Sequence, residues 1–379
     1  MKVLLIGEFS RLHNSLKEGL ISLGHQVTIV GTGDNFKNYP IDISIAPRIT
    51  TSNFIFRFLN KCFDKFFKIN FEAIEKGIRF YLLLPNLKNY DVVQLINSDA
   101  IETNPKWQIN FYNKLFKNNK KSFLLICGDE TPIVDFNLKN QLKYSVLTPY
   151  LENKKLKNLY QYSLKYVTKN YRELYEFIEK KCDGIIVSDI DYKIPMMQTK
   201  TNVVLIPNPI NTDKIKYFEN LINDKIIIFH GINELSHIKK GNIFFEKALG
   251  IIQEKYPEKV EIITTRSIPY NQYIELYNKA HIVLDMVYAY DQGYNALEAM
   301  AKGKVVFTGA ETEFEAFYNL KESVNINAKP DVDYLVNELS FLIENPQEII
   351  EIGKRARIFI EKEHNYIKIA KKYLEVWQG

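Results

Sequence analysis

The sequence predicts an α/β chain built as two doubly wound halves. Three observations carry that reading. Short β-branched and leucine runs recur along the chain and end in glycine or polar residues. Helical-period apolar patterns stand between them. A Pro-Asn-Pro break at Pro207–Pro209 follows one such run and divides the series in two. The 379 residues suit two domains, at roughly 150 residues each, and each half is long enough to bury its own core. The expected units are 1–207, 208–362 and a closing helix over 363–379.

Val3–Ile6 reads as a buried parallel strand that stops at Gly7. Leu16, Leu20, Ile21 and Leu23 mark a helix over Ser15–Leu23, Gly24 ends it, and Gln26–Val30 is the next strand. Strand, helix and strand in so short a span form a βαβ unit. Further strands are expected at Asp91–Ile96, Phe123–Cys127, Asp183–Val187 and Val203–Ile206. The second series opens with a strand at Lys225–Phe229 and a helix over Asn242–Lys255. Strands at Val260–Thr264 and His281–Met286, a helix over Tyr294–Lys302 and a strand at Val305–Thr308 follow. Leu335–Leu342, Pro346–Glu361 and Tyr366–Trp377 read as closing helices, with Asn365 as the N-cap of the last.

Fifty basic and 45 acidic residues leave a formal charge of +5. That is too mild for the dense basic stripe of a non-specific nucleic-acid binder. Cys62, Cys127 and Cys182 lie far apart and form no Cys-x-x-Cys pair. This favours a reducing compartment and argues against structural zinc. The apolar run at Met1–Gly7 is too short for a signal-peptide core. No stretch approaches the roughly 20 apolar residues of a membrane span. A cytoplasmic protein is expected.

A glycine directly after the first strand is a common phosphate-site signal. The sequence there is Gly7-Glu8-Phe9-Ser10, without the Gly-x-Gly-x-x-Gly of dinucleotide enzymes. Gly7 suits a tight strand-to-helix turn equally well. The second half is more informative. Gly293-Tyr294-Asn295-Ala296-Leu297-Glu298 opens a helix after a strand and a short loop. Free N–H groups at such a helix start can hold a diphosphate. Glu298, one turn inside, can accept hydrogen bonds from vicinal hydroxyls. Read alone, Leu297-Glu298-Ala299-Met300-Ala301 is also good composition for an ordinary amphipathic helix.

The segment resembles the donor-site signature of family-4 glycosyltransferases, Glu-Gly-Phe-Gly, four residues, then Glu-Ala-Met-Ala-x-Gly-x-Pro-Val. Gly293 stands at its second glycine and Glu298 at its second glutamate, with Ala299, Met300, Ala301, Gly303 and Val306 also matching. The resemblance implies the GT-B fold: two Rossmann-like domains facing each other across a cleft, with the C-terminal helix crossing back to the N-terminal domain. It also implies ribose binding by Glu298. His230-Gly231 through Lys240-Gly241 is similar to a second family segment, which implies that Lys240 meets the donor diphosphate. The donor-binding set is therefore Lys240, Arg266, Gly293, Tyr294, Asn295, Ala296, Leu297 and Glu298, with Arg266 reading either as a base or phosphate contact or as a surface arginine.

Two departures stand out. Tyr290 occupies the position of the family's first glutamate, which contacts the donor sugar, and Asp291 is the neighbouring carboxylate able to replace it. No arginine follows Gly231, which leaves His237 or Lys239 to supply that charge. On the acceptor side, His13, Asp99 and Asp129 follow strands of the first half, where open α/β sheets bind ligands. His13 and Asp129 are candidate acid–base groups. Asp129 is equally readable as a helix N-cap. The family retains anomeric configuration, which lessens the need for such a base. Asp189-Ile190-Asp191 has the spacing of a metal motif but reads as a turn, and no metal site or cofactor is expected.

Phe54–Phe71 combines aromatic and basic residues at helical spacing. It suits either a peripheral membrane contact at the inner face or a helix on the domain core. The implied function is transfer of a sugar from a nucleotide-diphosphate sugar to a saccharide or lipid-linked acceptor, in cell-surface polysaccharide assembly. A nucleotide-sugar 2-epimerase on the same fold and a non-catalytic nucleotide-sugar-binding subunit are the alternatives.

Overall fold

A computed structural model describes residues 1–34, 38–52, 60, 70–199 and 201–379. The N-terminal sheet has seven parallel strands: β1 Lys2–Ile6, β2 Gln26–Gly31, β3 Ile43–Ser44, β4 Val92–Leu95, β5 Lys121–Ile126, β6 Gly184–Val187 and β7 Val203–Leu205. Their order is β3-β2-β1-β4-β5-β6-β7. Val3, Leu4, Leu5 and Ile6 are all buried. That explains why β1 is a continuous apolar run: helices cover both faces of a parallel sheet. Among the described residues the longer helices of this half are α1 Leu12–Ser22, α2 Phe71–Leu83, α3 Pro105–Lys117, α4 Thr131–Leu138, α5 Lys169–Lys181 and α6 Ile190–Met197.

The C-terminal sheet has five parallel strands: β8 Ile226–Ile232, β9 Val260–Arg266, β10 Ile282–Leu284, β11 Val305–Thr308 and β12 Ile326–Asn327, in the order β12-β11-β10-β8-β9. Its helices are α7 Asn242–Lys255, α8 Tyr270–Lys279, α9 Tyr294–Ala301, α10 Thr312–Tyr318, α11 Val332–Glu344, α12 Pro346–Glu363 and α13 Tyr366–Gln378. Each sheet forms its own core. The fold is α/β with two doubly wound domains.

Both sheets contain a point where the chain reverses its direction of winding. β1 pairs with β2 on one side and β4 on the other, and β8 pairs with β9 and β10. Loops leaving the carboxyl ends of such strand pairs diverge and open a crevice. The fold therefore places the segments after β1, β4, β8 and β10 where a ligand can enter.

Helix α13 leaves the C-terminal half. Its Ile369, Ala370, Tyr373 and Trp377 belong to the core of the N-terminal sheet. Gly19 of α1 makes this crossing close: a Cβ there would lie 2.3 Å from the Tyr366 carbonyl oxygen and 2.9 Å from the Ala370 Cβ. His364 Nδ1 lies 2.9 Å from the Asn208 carbonyl oxygen. Asn365 caps α13 through its side chain.

The sequence reading assigned no element between Cys127 and Asp183. The structure has α4 and α5 there, joined by short helical turns at Thr148–Glu152, Lys154–Tyr160 and Gln161–Leu164. This stretch packs between the domains. Tyr144 joins the C-terminal core, and Leu147, Tyr160 and Tyr166 cluster with Ile238.

Candidate functional site

The crevice of the C-terminal sheet lies between the ends of β8 and β10. After β8, a helical turn at His237–Lys240 ends at Gly241, whose φ is +69°. A Cβ at Gly241 would stand 2.3 Å from a Val287 methyl carbon. Glycine is needed there both for the left-handed backbone and for the close approach. The turn lays Lys240 over the end of β10. Its Nζ is 2.7 Å from Asp285 Oδ1. Asp285 is buried, and Asn295 Nδ2 and Thr308 Oγ1 each approach its carboxylate at 3.3 Å. Lys240 itself remains about one-third exposed.

Helix α9 starts beside this pair. Its N-cap is Gly293, with no side-chain cap bond. Around a Cβ at Gly293 the nearest heavy atom is Asp285 Oδ2 at 4.0 Å, so there is room beside the N-cap. The first N–H groups of a helix have no acceptor within it, and the axial dipole favours an anion there. An uncapped helix start with a lysine at its rim can receive an anion once that lysine leaves Asp285.

The other expected residues divide. Glu298 is half-buried one turn inside α9. Tyr294 reaches across the cleft: its hydroxyl is 2.6 Å from Ser15 Oγ and donates to the Pro209 carbonyl oxygen at 3.1 Å. Asn295 is held from behind, with Tyr277 donating to its carbonyl oxygen at 2.9 Å. Ala296 and Leu297 have fully buried side chains in the C-terminal core. Their side chains therefore face the core, because the inner face of an amphipathic helix must pack on its sheet, and only their backbone N–H groups are left for a donor. Arg266 lies on the exposed flank, 2.8 Å from Glu234 and paired also with Glu246. Of its two readings, this is the surface arginine.

The basic alternatives to the missing arginine also separate. His237 turns back on the Glu234 carbonyl oxygen. Lys239 Nζ donates to Ser163 Oγ at 2.8 Å, and Ser163 in turn donates to Asp129 Oδ2. Arg11, which the sequence reading missed, faces α9 from the other domain. Burial acts to lower its pKa, but Glu18, Tyr294 and Glu298 together raise it. The turn that carries it has positive φ at Ser10 and Arg11, 51° and 70°, and nothing local in the sequence marks non-glycine residues for that conformation.

His13 is corrected as an acid–base group. It is fully buried. Its Nδ1 lies 2.8 Å from the Gly7 carbonyl oxygen and its Nε2 lies 3.2 Å from Gln94 Nε2. Burial pulls its pKa down to about 4, so it is a neutral part of the core. Glu8 is also buried; it accepts from the backbone and side chain of Asn14 and its pKa is pushed up to about 8 by burial. Asp99 is buried against Gln108 and Lys165. Glu130, not Asp129, caps α4 and binds Ser98. Asp129 is half-buried and reaches the cleft through Ser163 and Lys239.

Asp291 does not take the place of the missing glutamate. Its carboxylate is buried and accepts from the backbone N–H groups of Gln292 at 2.7 Å and Ile190 at 3.1 Å. Tyr290 is buried against Tyr144, and its hydroxyl accepts from the Lys143 N–H at 3.0 Å. A polar cavity of about 370 Å³ opens nearby at the ends of β11 and β12, lined by Lys143, Glu311, Asn327, Lys329, Tyr334 and Glu338 among others, but by none of the α9 residues. Phe54–Phe71 lies outside the described residues except for Asn60, Asn70 and Phe71. Among the described residues no helix is long and apolar enough to cross a membrane.

The site and fold define a class. Residues 232–375 match the sequence model of a family described as glycosyl transferase-like. No curated protein matches the chain at a significant level. The structure is similar to sucrose-phosphate synthase from Thermosynechococcus elongatus, with a TM-score of 0.61 and 13% identity over 100% of this chain and 98% of that chain. It is similar to Anabaena HepE in complex with UDP-glucose, with a TM-score of 0.58 and 12% identity over 100% and 99% of the two chains. It is also similar to a UDP-GlcNAc 2-epimerase from Neisseria meningitidis bound to UDP-GlcNAc, with a TM-score of 0.54 and 12% identity over the whole of both chains. The chain has the GT-B fold, and residues 232–375 of its C-terminal half resemble the glycosyl transferase-like family.

Proposed function

We propose that the protein transfers a hexosyl group from a nucleoside-diphosphate sugar to a glycan or lipid-linked acceptor, with retention of configuration, in the assembly of a cell-surface polysaccharide. The observation that carries this reading is the uncapped start of α9 at Gly293, set at the crevice of the C-terminal sheet with Lys240 at its rim.

The donor diphosphate sits on the first N–H groups of α9 and is met by Lys240, which moves from Asp285 to phosphate. Glu298 accepts from the ribose hydroxyls, and Arg11 closes the site from the opposite domain. As the sugar–phosphate bond breaks, negative charge grows on the leaving diphosphate. Preorganised N–H groups and a lysine stabilise that charge without reorganising. In a retaining reaction the departing phosphate takes the acceptor proton. His13, neutral and sealed, has no part in that step. The comparison with the 2-epimerase extends to fold alone, and the buried positions of His13, Glu8 and Glu130 favour transfer over epimerisation. The Tyr290 contacts favour a second reading, a nucleotide-sugar-binding subunit without turnover.

Calorimetric titration of UDP and GDP into the protein and its Glu298→Ala variant tests the site. The expected result is binding of one nucleotide, weakened in the variant by tenfold or more, on the scale of a lost hydrogen bond to a charged group, about 1.5–3 kcal/mol. Undiminished binding by the variant moves the donor site elsewhere. Release of free nucleotide from the donor in the presence of mixed saccharide acceptors separates an enzyme from a binding subunit.

A further inference from the structure

The Asp189-Ile190-Asp191 segment, read from sequence as a turn, stands at the start of α6 in the N-terminal domain and meets the loop that leads into α9. Both Asp191 carboxylate oxygens lie 3.0 Å from the Tyr290 backbone nitrogen, and Oδ2 also lies 3.0 Å from the Asp291 backbone nitrogen. The exchange is reciprocal, because Asp291 Oδ2 accepts from the Ile190 N–H at 3.1 Å. Each domain thus supplies a carboxylate to backbone N–H groups of the other.

The loop is pressed from its own side as well. Gly309, after β11, backs it so closely that a Cβ there would lie 2.5 Å from the Asp291 carbonyl oxygen and 2.7 Å from that of Ala289. Gln292 Nε2 donates to the Gly309 carbonyl oxygen at 2.8 Å. Residues 289–292 are therefore clamped between β11 and Asp191, and the next residue is Gly293, the N-cap of α9. Hydrogen bonds donated by backbone N–H groups to a buried carboxyl group constrain a loop, because an N–H left there without its acceptor costs about 1–3 kcal/mol.

We propose that Asp191 is a positioning residue: from the N-terminal domain it holds the Tyr290–Gln292 loop in the conformation that presents the start of α9, so that domain contact and donor binding are linked. The inference rests on the donor site proposed above. Asp191 touches no substrate; it acts through the loop. A displaced loop tilts the first N–H groups of α9 away from the diphosphate.

Hydrogen–deuterium exchange and nucleotide titration on the full chain test this with Asp191→Ala and Asp191→Asn. In the ligand-free Asp191→Ala protein the Tyr290 and Asp291 amides are expected to exchange about tenfold faster, and the Kd of whichever nucleotide binds to rise about tenfold, as two backbone N–H groups lose their acceptor. Asp191→Asn keeps one acceptor oxygen, so its exchange and Kd fall between those of the parent and the alanine variant. A folded Asp191→Ala with unchanged exchange at these two amides overturns the brace, and unchanged Kd with faster exchange overturns its link to the donor site. Should the alanine variant not fold, unaltered exchange in Asp191→Asn overturns the proposal. If the parent binds neither UDP nor GDP, the donor reading for those bases fails, while the exchange result still decides the brace.

Discussion

At the carboxyl edge of the C-terminal sheet, Lys240 and Glu298 stay partly open to the cleft. At the matching edge of the N-terminal sheet, His13, Glu8, Asp99 and Glu130 are sealed inside. Both edges carry polar residues after strands, and both lie at a reversal of winding. The difference is in what the polar groups bind. In the C-terminal domain the groups proposed to meet the donor are a backbone helix start and two long side chains. In the N-terminal domain the short loops after β1, β4 and β5 turn Glu8, His13, Asp99 and Glu130 inward, where each meets backbone or side-chain partners, Glu8 through one oxygen only. A buried polar group without a partner costs free energy, so such groups find partners within the fold. Titratable residues after a strand are therefore weak evidence for catalysis until their exposure is known.

The largest expected effect tests how far the two regions depend on each other. Trp377 of α13 is fully buried in the N-terminal core. Trp377→Ala is expected to cost about 3–5 kcal/mol, read from urea denaturation followed by tyrosine fluorescence and circular dichroism. Proteolysis should then nick the N-terminal half first. A loss below about 1 kcal/mol would break the picture of an N-terminal core completed by the last helix.

A smaller effect concerns the sealed imidazole. Folding lowers the His13 pKa from the usual 6.5 to about 4, through burial. Between those values the unfolded chain binds the proton and the folded one does not. The contribution of a neutral His13 is thus complete above pH 6.5 and is lost as pH falls toward about 4. It amounts to at most about 3 kcal/mol. His13→Gln should flatten the acid limb of a Tm-against-pH curve relative to the parent, while nucleotide affinity at pH 7.5 stays within about twofold. A tenfold weaker affinity in a stable variant would place His13 in the site after all.

The smallest effect sharpens the comparison at an N-terminal acid after β5 that stays half-buried. Asp129 meets Ser163, which meets Lys239 of the other domain. Asp129→Asn keeps the shape and an acceptor oxygen. Its expected consequence is a change of under about 1 kcal/mol in nucleotide binding, the scale of a single partly exposed interaction. A turnover loss of a thousandfold with intact nucleotide binding would instead make Asp129 an acid–base group.

Much of the arrangement proposed for the donor was legible in the residues. Gly293 and Glu298 share one helix, and Lys240-Gly241 is a short turn, so their relation is local and follows from spacing. Arg11 was not legible, because it pairs with Glu18 and feels the charge of Glu298 in the other domain from a turn with two non-glycine residues at positive φ. Asp291 was misread for a related reason. Its neighbours in sequence suggested a sugar contact, but its partner is the Ile190 N–H, a hundred residues away in the chain.

By itself the sequence determined the alternation of strands and helices, the break at Pro207–Pro209 and the glycine-led helix of the donor side. Each of these depends on periodicity or backbone freedom within a few residues. Only the tertiary structure decided which polar side chains face solvent and which brace the two domains. Burial and hydrogen-bond partnership are properties of segments brought together from distant parts of the chain, and the pairing of Asp191 with the Tyr290–Asp291 backbone exists only once both sheets have formed and met.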